Sequence, residues 1–100
     1  MEATKVDILA YLASQKELFK AEFQVTKLGL FGSYATDNAG SDSDIDVIIE
    51  FEPQTSQLRD KKEKIRSLIK GRFNKEVDLC REKYIKPYFR EHILNSAIYV

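Results

Sequence analysis

Apolar positions recur three and four residues apart at the start of the chain: Val6, Leu9, Ala10, Leu12, Ala13, then Leu18 and Phe19. That spacing predicts a helix over about residues 4–21, with Thr4 as a possible N-cap. The run Val25–Phe31 (VTKLGLF) is rich in strand-forming residues and ends at a Gly-Ser turn, so it reads as a strand. Thr36–Ser43 (TDNAGSDS) contains only small or polar residues and reads as a loop. Ile45–Phe51 (IDVIIEF) is a second strand, and its almost unbroken apolar content after Asp46 predicts burial on both faces in the middle of a sheet. Pro53 stops it. Thr55 or Ser56 is then placed to cap a helix with Leu58, Ile65, Leu68 and Ile69 in one stripe and Gly71 at its end. Lys75–Cys80 (KEVDLC) is a third strand, Lys86–Ser96 a further helix, and Ala97–Val100 a short final strand. With no repeat, low-complexity tract or linker, the pattern is that of one α/β-type domain over residues 1–100.

One hundred residues leave room for one modest core, and a hydrophobic content of 43% suits a folded chain. Sixteen basic and sixteen acidic residues cancel, so no global basic surface advertises nucleic acid. The local basic run from Lys61 through Arg66 to Lys75 is interleaved with Asp60 and Glu63 and reads as a solvated helix face. Cys80 is the single cysteine, which rules out an intrachain disulfide and suits a reducing compartment; it is expected to be a small apolar strand residue. No apolar run approaches the roughly 20 residues of a bilayer span. Glu2 and Asp7 also argue against a signal peptide, so the expected location is cytoplasmic, with no membrane partner.

The chemistry concentrates in one stretch. Gly32-Ser33 follows the first strand, and ten residues later comes Asp44-Ile45-Asp46. Residues two apart on a strand project to the same face, so Asp44 and Asp46 stand side by side while Ile45 points away. Hard cations such as Mg²⁺ take oxygen ligands, and two metals sharing carboxylates can clamp both ends of a phosphoryl displacement. The third strand adds Asp78 between Val77 and Leu79, on the face opposite to both. An aspartate there needs a counter-ion or must change its protonation. If its strand lies beside the Asp-Ile-Asp strand, it completes a cluster of three carboxylates that a cation would neutralise. The alternative is that Asp78 sits near the strand end and pairs with a lysine.

At these residues the chain resembles the minimal nucleotidyltransferase (MNT) family of the DNA polymerase β-like superfamily. The family signature G-S-Y-A-R-G, a polar loop, then S-D-I-D-L corresponds here to Gly32-Ser33-Tyr34-Ala35-Thr36-Asp37 and Ser43-Asp44-Ile45-Asp46-Val47. The later V-D-L strand corresponds to Val77-Asp78-Leu79, and the likeness covers nearly the whole chain. The resemblance implies an α+β (mixed α/β) nucleotidyltransferase fold, with a mixed sheet of three or four strands and helices mainly on one side. It implies that Gly32 and Ser33 bind the triphosphate of a nucleotide, that Asp44 and Asp46 coordinate two Mg²⁺ ions, and that Asp78 holds one of them and helps activate the attacking hydroxyl.

Family members of this size often act as the antitoxin of a small helical HEPN toxin, and some transfer AMP from ATP to a tyrosine of that toxin. The implied function is therefore Mg²⁺-dependent transfer of AMP from ATP to a protein acceptor within such a toxin–antitoxin pair. The alternative is a catalytically weak binding module that neutralises its partner by contact. One departure keeps the alternative in view: Thr36-Asp37 stands where the family commonly has Arg-Gly, which removes a guanidinium and adds a negative charge. Of the remaining residues, His92 is expected at the surface or in packing, and Tyr34 in packing. Tyr84, Tyr88 and Phe89 either form an exposed apolar patch or cover the sheet.

Overall fold

The structure is a computed structural model that describes residues 3–100; Met1 and Glu2, the second of which entered the argument against a leader segment, lie outside them. Helix α1 runs Lys5–Phe23. The Thr4 hydroxyl caps it by accepting from the Asp7 N–H at 3.1 Å. It ends at Phe23, two residues later than its apolar spacing predicts, where the left-handed backbone of the capping Gln24 turns its N–H onto the Lys20 carbonyl at 3.1 Å. Strand β1 is Val25–Phe31, followed by the four-residue helix α2 (Gly32–Ala35), and strand β2 is Ile45–Phe51.

Helix α3 spans Leu58–Phe73 and corrects both of its expected ends. Neither Thr55 nor Ser56 caps it: Gln57, in the left-handed region, precedes it, and the Thr55 hydroxyl donates instead to the Glu52 carbonyl at 2.5 Å. Nor does Gly71 close it. An exposed glycine costs a helix only about 1 kcal/mol, whereas Asn74 takes the left-handed cap and bonds the Lys70 carbonyl at 2.7 Å. Strand β3 is Val77–Arg81, shifted onward from the predicted Lys75–Cys80. A 3₁₀ turn at Glu82–Tyr84 leads to α4 (Pro87–Ser96) and the short strand β4 (Ile98–Tyr99).

The sheet order is β3-β2-β1-β4. β1 pairs antiparallel with β2 and with β4, while β2 and β3 are parallel and joined by α3, so the sheet is mixed. One face carries the core: Leu28, Leu30, Val47, Ile49, Val77 and Leu79 pack with Ile8, Leu12 and Phe19 of α1 and Ile65 and Ile69 of α3. Val47, Ile48 and Ile49 are all fully buried, as a central strand requires. Three apolar residues read as core-facing, Val6, Leu18 and Leu68, are instead exposed. The second face belongs to the alternate residues, among them Asp46, Ile48 and Glu50 of β2 and Asp78 and Cys80 of β3.

Candidate active site

Register brings the acidic residues together. In the parallel ladder Asp46 lies directly opposite Asp78, and in the antiparallel ladder Phe31 lies opposite Asp46. The chain leaves β1 at Phe31 straight into α2, so Gly32 and Ser33 sit against the Asp46 end of β2. Gly32 has φ +74°, which glycine adopts at little cost. A methyl group there would overlap the Asp46 carboxylate, whose Cγ is 3.0 Å from where a Cβ would fall. Glycine is thus needed twice, for the turn and for the close approach of a carboxylate.

The electrostatics of Asp46 report the cluster. Burial first, then the charges of Asp78 and Asp44, together raise its pKa from 3.8 to about 6. Asp44 is exposed just ahead of β2, and Asp78 is exposed on β3 between the buried Val77 and Leu79. Among the described residues no cation pairs with Asp44, Asp46 or Asp78, so the lysine-paired alternative for Asp78 is not what the fold adopts. Nor are any three His, Cys, Asp or Glu side chains among them already gathered as a metal cage. Magnesium ordinarily takes one or two carboxylates and completes its octahedron with water and phosphate oxygens. Asp46 and Asp78, in register on neighbouring strands and without a cation partner among the described residues, offer the carboxylate donors that fit such an ion arriving with a polyphosphate.

The remaining sequence expectations separate cleanly. Tyr34 is buried in the core, and His92 is exposed. Cys80 is half-buried on β3, and burial together with the Asp78 charge pushes its thiol pKa up, away from a reactive thiolate. Tyr84, Tyr88 and Phe89 are exposed, the last two edge to face with ring centroids 5.0 Å apart, while Ile85 is buried. The basic run is tied locally, by Arg66 to Glu63 at 2.5 Å and by Lys70 to Glu76 at 2.7 Å.

Three contacts around the site have no signal in sequence spacing because they span 31 to 34 positions. Lys75 donates to the Ser41 carbonyl at 2.7 Å, fastening the loop that carries Asp44. Arg81 binds Glu50 through Nε at 2.9 Å, at the far end of the β2–β3 pair. Lys5 reaches the Asp37 carboxylate at 3.2 Å. Asp37 itself has φ +61°, the region that favours the glycine usual there in the family pattern. Thr36, in the arginine position, turns its hydroxyl back onto the Gly32 carbonyl at 3.2 Å.

The nucleotidyltransferase domain family matches residues 12–100. Protein adenylyltransferase MntA of Thermococcus cleftensis is 29% identical over 97 residues, covering 97% of this chain and 96% of that protein. A candidate protein adenylyltransferase of Methanocaldococcus jannaschii is 31% identical over 102 residues, covering 97% and 98%. A solved structure described as a candidate minimal nucleotidyltransferase superposes with a TM-score of 0.77 at 26% identity, covering 96% of this chain and 95% of that one. A toxin–antitoxin crystal structure with AMP-PNP shares the fold at a TM-score of 0.65 and 14% identity, over 97% of this chain and 72% of that one. The architecture, the register of its aspartates and a family match over nearly the full length agree: the chain belongs to the nucleotidyltransferase domain family and is an enzyme of its minimal type.

Proposed function

We propose that the protein transfers AMP from ATP to a hydroxyl of a protein acceptor, in a Mg²⁺-dependent reaction, and that the acceptor is a small helical toxin of the HEPN type for which this chain is the antitoxin. The observation that carries the reading is the in-register pair Asp46–Asp78 beside the Gly32 turn, with Asp46 raised to about 6 by burial and by its acidic neighbours. Relatives across nearly the whole chain that are named protein adenylyltransferases support the acceptor class.

In this reading Gly32 and Ser33 receive the triphosphate. The Gly32 turn keeps side-chain bulk away from Asp46, and Ser33 offers a hydroxyl at the start of α2. Asp44, Asp46 and Asp78 hold two Mg²⁺ ions, which when bound supply positive charge to the attacking and leaving oxygens. The Asp78 carboxylate takes the proton of the acceptor hydroxyl. The acceptor oxygen forms a bond to the α-phosphorus, the bond from that phosphorus to its bridging oxygen breaks, and pyrophosphate leaves with the electron pair. Asp46 and Asp78 are held in register by neighbouring strands, with Asp44 immediately ahead of β2, and this contributes through orientation.

Incubation with α-labelled ATP, Mg²⁺ and the product of the neighbouring gene tests the proposal. Label should appear on that protein and disappear in Asp44→Asn and Asp46→Asn. Neutralisation of the partner that both substitutions leave untouched, with no label transferred, would establish contact inhibition instead.

A further inference from the structure

Beside Asp78 the structure has a groove of about 450 Å³ between α3 and the outer edge of β3. Its walls include Leu58, Arg59 and Lys62 of α3 and Val77, Asp78 and Leu79 of β3. Among the described residues β3 pairs only with β2, so its other edge is free. In a parallel ladder alternate residues turn both backbone groups to the same side. The Glu76 carbonyl accepts from the Ile45 N–H at 2.9 Å, which leaves Val77, Leu79 and Arg81 directing their N–H and C=O groups outward.

The charge of the groove is equally specific. Arg66 is shared between Glu63 and Glu76, and Arg81 is held by Glu50. Arg59 and Lys62 have no ion-pair partner among the described residues. A strand added to this edge would alternate its side chains between two environments. One set meets the free cations of α3; the other meets the face on which Asp78 stands.

We propose that this groove binds the acceptor segment as an added outer strand: an extended acidic peptide whose hydroxyl residue points to the Asp78 side, with Asp or Glu on the positions before and after it facing Arg59 and Lys62. This rests on the transfer reading for its chemistry but not for its binding, which needs neither nucleotide nor metal. It gives the acceptor a sequence rule, acidic–hydroxyl–acidic. It also explains why the cations are unpaired on the helix beside an open strand edge.

The probe is a fluorescein-labelled peptide alternating glutamate with threonine around one central tyrosine, followed by anisotropy at low salt with the full chain and no nucleotide. Two further peptides carry lysine in place of glutamate, or N-methyl groups on alternate amides. The acidic peptide should bind, and the double substitution Arg59→Glu, Lys62→Glu should weaken it by about tenfold or more. The lysine peptide should bind worse, and N-methylation in one of its two registers should abolish binding. Calorimetric binding of Mg²⁺-ATP to the double variant should match the parent, which certifies its fold. Equal binding of the lysine and glutamate peptides, unchanged binding by the variant, or indifference to N-methylation in both registers overturns the proposal. So does displacement of the peptide by an oligouridine, or self-association that the peptide cannot reverse. Peptide binding that behaves as expected, with no label ever transferred from ATP, would condemn the transfer reading alone.

Discussion

Asp46 and Glu82 are both acidic, both sheltered and both at the end of a strand, yet they live in opposite circumstances. Glu82 accepts from the Tyr99 hydroxyl at 2.8 Å and from Lys27 at 3.1 Å, and Arg90 lies 3.6 Å away. Its pKa is lowered, first by the Tyr99 hydrogen bond and then by Lys27 and Arg90, against the burial that opposes them. Asp46 has Asp78 and Asp44 for neighbours, and its pKa rises to about 6. Glu82 ties the 3₁₀ turn to β1, α4 and β4 and so stabilises the fold. Asp46 is held by its backbone in a place its charge disfavours. In the proposed reading a bound cation would offset that charge, and this is what makes the second arrangement the site candidate and the first a structural one.

The sharpest way to break the contrast is chemical. If Asp46 holds a cation as proposed, Asp46→Asn should lower AMP transfer by about a thousandfold or more, because an amide is a far poorer cation ligand than a carboxylate. Asp78→Asn should do the same, while Glu82→Gln should leave the rate per folded molecule near that of the parent. Single-turnover transfer of labelled AMP measures all three. Gly32→Ala comes next. Its methyl overlaps the Asp46 carboxylate and its φ of +74° is strained for alanine, so both activity and stability should fall, the latter by about 1–3 kcal/mol. Denaturant melts alongside the transfer assay would separate the two losses.

The same pair explains what could be read in the sequence. The motif Asp44-Ile45-Asp46 and Asp78 in a V-D-L run are local, so the candidate carboxylates could be named from spacing alone; the period-two logic holds for Asp46 and Asp78 within their strands but not for Asp44, which precedes β2. The mixed sheet followed from the same strands once the family likeness was added. What spacing could not supply were partners that meet only after folding. Glu82 reaches Lys27 across 55 positions, and Lys75 reaches Ser41 across 34. Helix ends failed for a related reason: Gln57 and Asn74 take left-handed backbone conformations where Ser, Thr and Gly had been the better statistical choices. The exposure of Val6, Leu18 and Leu68 shows the limit of periodicity, which finds a helix more readily than it finds the width of the buried stripe.

Acidity sets the two carboxylates in opposite directions. A pKa raised in the folded state means that protonated Asp46 favours folding; that contribution is complete below about pH 3.8 and is lost as pH rises through about 6. A lowered pKa means that ionised Glu82 favours folding, present above its ordinary value of 4.5 and lost as pH falls through the folded one. In metal-free protein, Asp46→Asn should therefore stabilise at pH 8 and lose that advantage at pH 4. Glu82→Gln should destabilise at pH 8, by about 1–2 kcal/mol for the loss of charged hydrogen bonds, and less at pH 3. Chemical denaturation across that pH range measures both, and parallel curves for the two variants would erase the distinction.

Asp37 is the mildest case, because its charge is satisfied while its backbone is not. It sits at φ +61°, exposed, with Lys5 at 3.2 Å. A surface pair of this kind contributes about 0–1 kcal/mol, and an aspartate in the left-handed region costs about 1 kcal/mol relative to glycine. The two effects nearly cancel, so Asp37→Gly should shift stability by no more than about 1 kcal/mol, towards greater stability at high salt where the ion pair is screened. Restoring the family pair with Thr36→Arg and Asp37→Gly together should strengthen binding of Mg²⁺-ATP if the guanidinium reaches a phosphate, which calorimetry would register as a tighter Kd. An unchanged affinity would mean that the Thr36 hydroxyl, turned onto the Gly32 carbonyl, already serves the turn as well as the arginine does, and that the acidic residue beside it was never close enough to the nucleotide to matter.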